Sequence, residues 1–152
     1  MIKRLLSYFL PIKVYETPSK TSTNLEVTWN NGYLVLDSKN TNYSFGSLQR
    51  ALKKGLKYIG YERIRNFESI LILGVAGGSV IETLKKEVKF DGKITGVEID
   101  ATVVDIANKY FGLSKYDNLE IVIDDAFEFV LKTKDTYDLI IIDIFQDTIM
   151  PN

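Results

Sequence analysis

The sequence predicts an α/β protein: a Rossmann-like, doubly wound parallel sheet preceded by a small N-terminal β-hairpin region. Three observations lead there. From residue 69 onward, short apolar runs alternate with amphipathic stretches of helical length. Several of those runs are apolar without interruption, the pattern of parallel strands covered on both faces. The first of them leaves through Gly74-Val75-Ala76-Gly77-Gly78-Ser79, a glycine-rich turn that opens a helix.

The chain begins with a basic front and a short apolar run, Met1-Ile2-Lys3-Arg4-Leu5-Leu6-Ser7-Tyr8-Phe9-Leu10-Pro11. The run is too short for a secretory signal, Pro11 interrupts it, and no small-residue cleavage site follows. A packed or dimer-facing segment is expected instead. Residues 12–42 read as β-structure. Leu25, Val27 and Trp29 alternate with Glu26, Thr28 and Asn30, which puts the apolar trio on one face. Asn30-Asn31-Gly32 has the composition of a tight hairpin turn, and Tyr33 to Leu36 returns as the partner strand. Residues 17–24 are polar and read as a loop.

Residues 44–60 read as a helix, with Leu48, Leu52, Leu56 and Ile59 at helical spacing. Ser44 and Ser47 are both candidates to cap its start, and Gly60 to end it. The alternation then begins: strand 69–73, helix 78–88, strand 93–99, helix 101–111, strand 118–123, helix 126–133 and strand 138–144. In the second of these helices Val103, Val104, Ala107 and Tyr110 should face inward. The organisation expected is an N-terminal hairpin region, 1–42, and a Rossmann-like domain, 43–152.

Composition narrows the chemistry. The 152 residues are 45% hydrophobic and 26% charged, as in an ordinary soluble domain. The formal net charge of -1 invites neither nucleic acid nor a membrane as partner, and no apolar run approaches the ~20 residues of a membrane span. The chain has no Cys and no His. That excludes disulfides, a thiol nucleophile, a Cys/His metal site and an imidazole base, so no metal is expected and proton transfer falls to carboxylates, Lys, Tyr or the substrate. A cytoplasmic location fits the absence of cysteine.

The candidate site residues sit at strand ends. The loop of Gly74, Ala76, Gly77 and Gly78 lets a ligand approach the backbone closely, at a helix start that offers free N–H donors. Glu98, 24 residues after Gly74, ends the next strand, where a carboxylate can accept both ribose hydroxyls of a nucleoside. That spacing is close to the ~20 of the dinucleotide fingerprint. Asp100 is better placed to cap the following helix. Asp124-Asp125-Ala126-Phe127 follows the third strand: a carboxylate there can accept an adenine amino group, with Phe127 shaping the base pocket, or simply cap the helix. Asp143 ends the fourth strand, where a half-buried carboxylate can act as a base or as counter-ion to an ammonium. The sheet topology gathers these tips at one edge, where open α/β sheets bind ligands. A nicotinamide dinucleotide is disfavoured, because Ala76 and Ser79 break the Gly-x-Gly-x-x-Gly spacing and Asp125 would have no task.

From Leu36-Asp37-Ser38 to Asp147 the chain resembles the spermidine synthase family, within the class I S-adenosylmethionine-dependent transferase fold. The stretches that carry the resemblance are Gly96-Val97-Glu98-Ile99-Asp100, Asp125-Ala126-Phe127-Glu128-Phe129 and Tyr137-Asp138-Leu139-Ile140-Ile141-Ile142-Asp143. It implies a donor, S-adenosylmethionine or its decarboxylated form, and an amine or other small acceptor. Ribose would be held by Glu98 with Ile99 beside it, adenine by Asp125 with Ala126, and Asp143 would be the base that deprotonates the attacking amine. Gln49 falls near the family's Tyr-Gln-Glu segment and is a candidate for substrate contact. The family's loop is Gly-Gly-Gly-Asp-Gly-Gly, whose Asp helps to bind the cationic end of the substrate; here the loop carries no carboxylate, Ala76 standing at that place. The family's Asp-Ser-Ser-Asp becomes Asp143-Ile144-Phe145-Gln146, which leaves Gln146 and Asp147 as the remaining substrate candidates. These losses keep the nucleoside site and weaken aminopropyl transfer relative to methyl transfer, or relative to a catalytically inactive nucleoside-binding or oligomerisation module of the same fold. A class I transferase sheet has seven strands and this sequence reaches four, so a truncated form is expected, or a homodimer that covers the fourth strand's edge.

Overall fold

The computed structural model describes residues 2–38, 42–44 and 47–144. Two sheets organise them. The first is antiparallel, with strands β1 (Ile12–Thr17), β2 (Leu25–Asn30), β3 (Tyr33–Ser38) and β4 (Asn42–Ser44) in that spatial order. The expected hairpin is therefore the centre of a four-stranded sheet: Asn30 pairs with Tyr33 around the Asn31-Gly32 turn, and flanking strands extend it on both sides. A short helix, α1 (Ile2–Leu6), docks on the turn through its polar side. Arg4 Nε donates to the Gly32 carbonyl at 3.1 Å, and the Gly32 N–H donates to Ser7 Oγ at 3.0 Å.

The second sheet is parallel. Its strands β5 (Ser69–Leu73), β6 (Lys93–Glu98), β7 (Leu119–Ile123) and β8 (Leu139–Ile142) lie in the order β7-β6-β5-β8. Ile72 is the middle of the ladder, opposite Gly96 on one side and Ile141 on the other. Helix α2 (Ser47–Ile59) precedes this sheet. Its Leu56 is buried and its Leu52 and Ile59 join the same core, as the helical spacing predicts. Gly60, at φ +98°, ends α2 and starts a second short helix, α3 (Tyr61–Arg65), which hydrophobic spacing did not anticipate. Ser47 opens α2, while Ser44 belongs to β4.

The three crossover helices stand where expected. Two of them change pitch near their ends: α4 (Ser79–Thr83) continues as a π-turn over Leu84–Val88, and α5 (Ala101–Ile106) as one over Ala107–Phe111. The third is α6 (Ala126–Lys132). The main core lies between the parallel sheet and α2, α3 and α4, with Phe90, Ile70, Ile72, Ile81, Leu84 and Ile94 fully enclosed. Each such side chain contributes about 1.5–3 kcal/mol by leaving water. The antiparallel sheet lays Leu25, Val27 and Leu36 on Val103 and Ile106 of α5, so the N-terminal strands share a core with a crossover helix.

Burial on both faces, expected of every apolar strand, holds for β5 and β6 but not for the outer strands. Ile140 and Ile142 of β8 are 52% and 67% exposed, and Ile123 of β7 is exposed as well. The reason is geometric. Ile140 and Ile142 pair with Leu71 and Leu73 on the face of α6, whose Phe129 packs toward Leu71, Leu73 and Val97 in the centre of the sheet and not toward β8; Ile123 pairs with Glu98 on the other face, at the end of the outer strand β7. The N-terminal apolar run likewise keeps Ile2, Leu5 and Phe9 exposed. Among the described residues, no helix is long and apolar enough to cross a membrane.

Candidate functional site

The strand order places the site. Neighbours β6 and β7 lie to one side of β5 and β8 to the other, so the crossovers diverge from the β5 tip and leave a crevice at the carboxyl edge. Backbone hydrogen bonds hold the four tips level: Gly74 N–H to the Val97 carbonyl at 2.9 Å, Asp124 N–H to the Glu98 carbonyl at 3.1 Å, and Asp143 N–H to the Leu73 carbonyl at 2.7 Å. Gly74, Glu98, Asp125 and Asp143, picked from separate stretches of sequence, are thus gathered at one edge.

Gly74 sits there because no other residue fits. Its φ is +90°, and a Cβ would meet the Asp143 carbonyl oxygen at 2.1 Å. The glycine is what lets β8 end against the loop. Gly74→Ala should therefore destabilise the protein by about 2–4 kcal/mol, combining an unfavourable φ with a backbone overlap. Urea denaturation measures it, and a loss below about 1 kcal/mol would contradict this account of the β5–β8 junction. Ala76 takes the left-handed region too, at φ +48°, a conformation that costs a non-glycine residue of order 1 kcal/mol and must be held from outside.

Glu98 does the holding. It is 8% exposed, and its Oε2 accepts the N–H groups of Val75 at 3.1 Å and Ala76 at 3.0 Å. Its Oε1 accepts the N–H of Asp100 at 3.2 Å. The residue expected to accept ribose braces the glycine loop. Burial pushes its carboxyl up from the ordinary Glu value, against the pull of those three N–H groups; the charge of Asp100 adds to the rise. Ile99 follows at the bend of the tip.

Asp125 caps α6: its Oδ1 accepts the N–H groups of Phe127 at 2.8 Å and Glu128 at 3.2 Å. Of the two readings left open, capping is realised, and Asp124 instead accepts the Asp125 N–H at 2.8 Å. Ala126 is the first residue of α6, and Phe127 is 68% exposed beside the edge. Asp143 is half-buried. Burial raises its carboxyl above the ordinary Asp value, and the nearby charge of Glu98 raises it further. Gln49 reaches the loop from α2, its Nε2 donating to the Ser79 carbonyl at 3.4 Å beside Gly77 and Gly78. Gln146 and Asp147 lie outside the described residues.

Asp100 does what its place before a helix predicts, accepting the Thr102 N–H at 3.0 Å. The residues that sequence reasoning missed are Ser19 and Thr21, in the loop between β1 and β2, which meet Asp100 at the same edge. Their polar run carried only the signature of a loop, and a contact 79 residues away leaves no local pattern. Among the described residues, no group of three or more His, Cys, Asp or Glu is placed to hold a metal ion.

The family model described as the spermine/spermidine synthase domain matches residues 49–151. A polyamine aminopropyltransferase of Sulfurisphaera tokodaii is 36% identical over 86 residues, covering 53% of this chain and 28% of the relative. A probable polyamine aminopropyl transferase of Bifidobacterium longum is 31% identical over 145 residues, covering 85% of this chain and 32% of the relative. The chain thus spans about a third or less of the length of these curated relatives. Among solved structures, a spermidine synthase in complex with the transition state analogue AdoDATO superposes with a TM-score of 0.61 at 25% identity, over 87% of this chain and 47% of that one.

Proposed function

Because this chain belongs to the spermine/spermidine synthase family, we propose that its sheet edge binds an S-adenosyl donor and presents it to an amine acceptor for aminopropyl transfer. The observation that carries the reading is the meeting of the Gly74 loop, Glu98, Asp125 and Asp143 at the carboxyl edge beside the switch point. Glu98 accepts the ribose hydroxyls at Oε1, where its backbone contacts leave one lone pair that the two hydroxyls share, and Ile99 lines the sugar. Asp125 accepts the adenine amino group through the carboxylate oxygen that the cap does not use, beside Ala126. Gly74, Ala76, Gly77 and Gly78 admit the donor close to the backbone. The residues present suit such a donor: a buried, braced carboxylate at a strand tip, and a loop held in left-handed geometry.

The donor supplies a carbon activated by positively charged sulfur. The amine nitrogen bonds to that carbon, the carbon–sulfur bond breaks with its electron pair left on sulfur, and the amine's proton goes to Asp143. The chain's own contribution is alignment of the two reactants and acceptance of the proton. A carboxyl raised by burial suits the second task, because a base works best when its pKa lies nearer the working pH. Gln49 contacts the acceptor from α2.

Methyl transfer is the second reading, and one observation favours it: Gly74 to Ser79 contains no carboxylate to balance a polyamine's ammonium group. An unpaired buried cation costs several kcal/mol. Turnover separates the two. The protein should convert decarboxylated S-adenosylmethionine to methylthioadenosine in the presence of a diamine. Conversion of ordinary S-adenosylmethionine alone would replace aminopropyl transfer with methyl transfer, and conversion of neither across a panel of amines would remove the enzymatic reading.

A further inference from the structure

We propose that Thr21 is a positioning residue for the nucleoside site, acting through Asp100 on Glu98 and through Glu98 on the glycine loop. The inference rests on the reading above, in which Glu98 and that loop hold the donor, and it identifies what fixes them.

The contacts run in an unbroken line. Thr21 Oγ1 donates to Asp100 Oδ2 at 2.7 Å, and the Thr21 N–H donates to the same oxygen at 3.1 Å. Asp100 Oδ1 is occupied by the Thr102 N–H, so one oxygen starts α5 and the other grips the β1–β2 loop. The Asp100 N–H reaches Glu98 Oε1, and Glu98 Oε2 takes the N–H groups of Val75 and Ala76. The loop is pre-shaped for its end of the line: Ser19 Oγ accepts the N–H groups of Thr21 and Ser22 at 3.3 and 3.1 Å, and the Ser19 N–H closes on the Ser22 carbonyl at 2.8 Å.

Burial makes the line consequential. Asp100 is 1% exposed, so water cannot replace a lost partner. Stripped of the Thr21 hydroxyl, the carboxylate keeps only the Thr21 N–H and the Ser19 side chain as its partners in the β1–β2 loop and shifts toward them. The shift carries its own N–H away from Glu98, which frees the brace on the strained Ala76 backbone. The apolar contact of Leu25, Val27 and Leu36 with Val103 and Ile106 does not involve Thr21 and still holds the two sheets together. The effect of losing Thr21 thus falls on the loop rather than on the fold.

Two measurements on Thr21→Val and Thr21→Ser test this. Amide hydrogen exchange on the unliganded protein should be several-fold faster at Val75 and Ala76 in Thr21→Val, and unchanged in Thr21→Ser, which keeps the hydroxyl. Methylthioadenosine, titrated by calorimetry, should bind Thr21→Val roughly tenfold more weakly, the loss of one charge-assisted hydrogen bond passed on to the site. Thr21→Ser should bind within about twofold of the wild type on the same argument. Thr21→Ala replaces the valine variant where the valine does not fold. Unchanged exchange at Val75 and Ala76 together with unchanged affinity would overturn the positioning role alone. Failure of the wild type to bind any S-adenosyl compound would overturn the reading of the site, and the positioning role with it.

Discussion

Glu98→Ala should weaken the binding of S-adenosyl nucleosides by at least about 100-fold, since each hydrogen bond to a charged group contributes about 1.5–3 kcal/mol and the ribose offers two hydroxyls. The loss has a second source. The carboxylate is the acceptor for three backbone N–H groups, two of them in the loop that takes the donor. Without it the Ala76 backbone loses the contact that holds its left-handed conformation. Calorimetry with methylthioadenosine measures the affinity, and a far-ultraviolet spectrum matching the wild type separates lost binding from lost fold. Glu98→Gln is not a mild alternative, because its amide would turn a donor toward N–H groups that need an acceptor. Affinity within tenfold of the wild type for Glu98→Ala would remove Glu98 from the site.

Asp143→Asn should lower the transfer rate by about 10²–10⁴-fold, the usual contribution of a positioned base, while leaving nucleoside affinity near the wild-type value. The pH dependence follows from the direction of its shift. Burial, then the charge of Glu98, raises the carboxyl above the ordinary Asp value of 3.8. The wild-type rate should accordingly climb with pH through a value above that one as the base ionises, and the asparagine variant should lack this limb. Stability should move the other way. A carboxyl whose pKa is raised on folding contributes stability that is present below the unfolded value and is lost as pH rises through the folded one. At neutral pH the ionised Asp143 is therefore a burden on the fold, and Asp143→Asn should raise Tm even as it removes turnover. A variant that loses activity and stability together would point instead to a structural part for Asp143 in the β5–β8 junction.

The fold was legible wherever a residue's task is local. The apolar runs of β5 and β6, the helical spacing of Leu52, Leu56 and Ile59, the Asn31-Gly32 turn and the cap by Asp100 each follow from a few neighbouring residues. Glu98 was legible for the same reason, as a carboxylate at a strand end that follows a glycine loop. What was not legible depends on parts distant in sequence. The exposure of Ile140 and Ile142 is set by what lies beside β8, not by the apolar run itself. The extra strands around the hairpin depend on pairing rather than on periodicity. The grip of Thr21 on Asp100 joins a loop with no pattern to a cap whose second oxygen the sequence leaves unassigned. Asp125 shows the limit of type and spacing: the same residue at the same place serves either a base or a helix end, and only the geometry reveals that the cap is made.

In the proposed function the edge formed by Gly74, Glu98, Asp125 and Asp143 holds an adenosine compound bearing sulfur. Thermal unfolding in the presence of S-adenosylmethionine, its decarboxylated form, methylthioadenosine or NAD tests it most directly. At 100 times its dissociation constant a ligand of the folded state stabilises it by about 2.7 kcal/mol. At least one S-adenosyl compound should produce such a shift, NAD should not, and Glu98→Ala should abolish it; stabilisation by NAD alone would overturn the assignment of this edge.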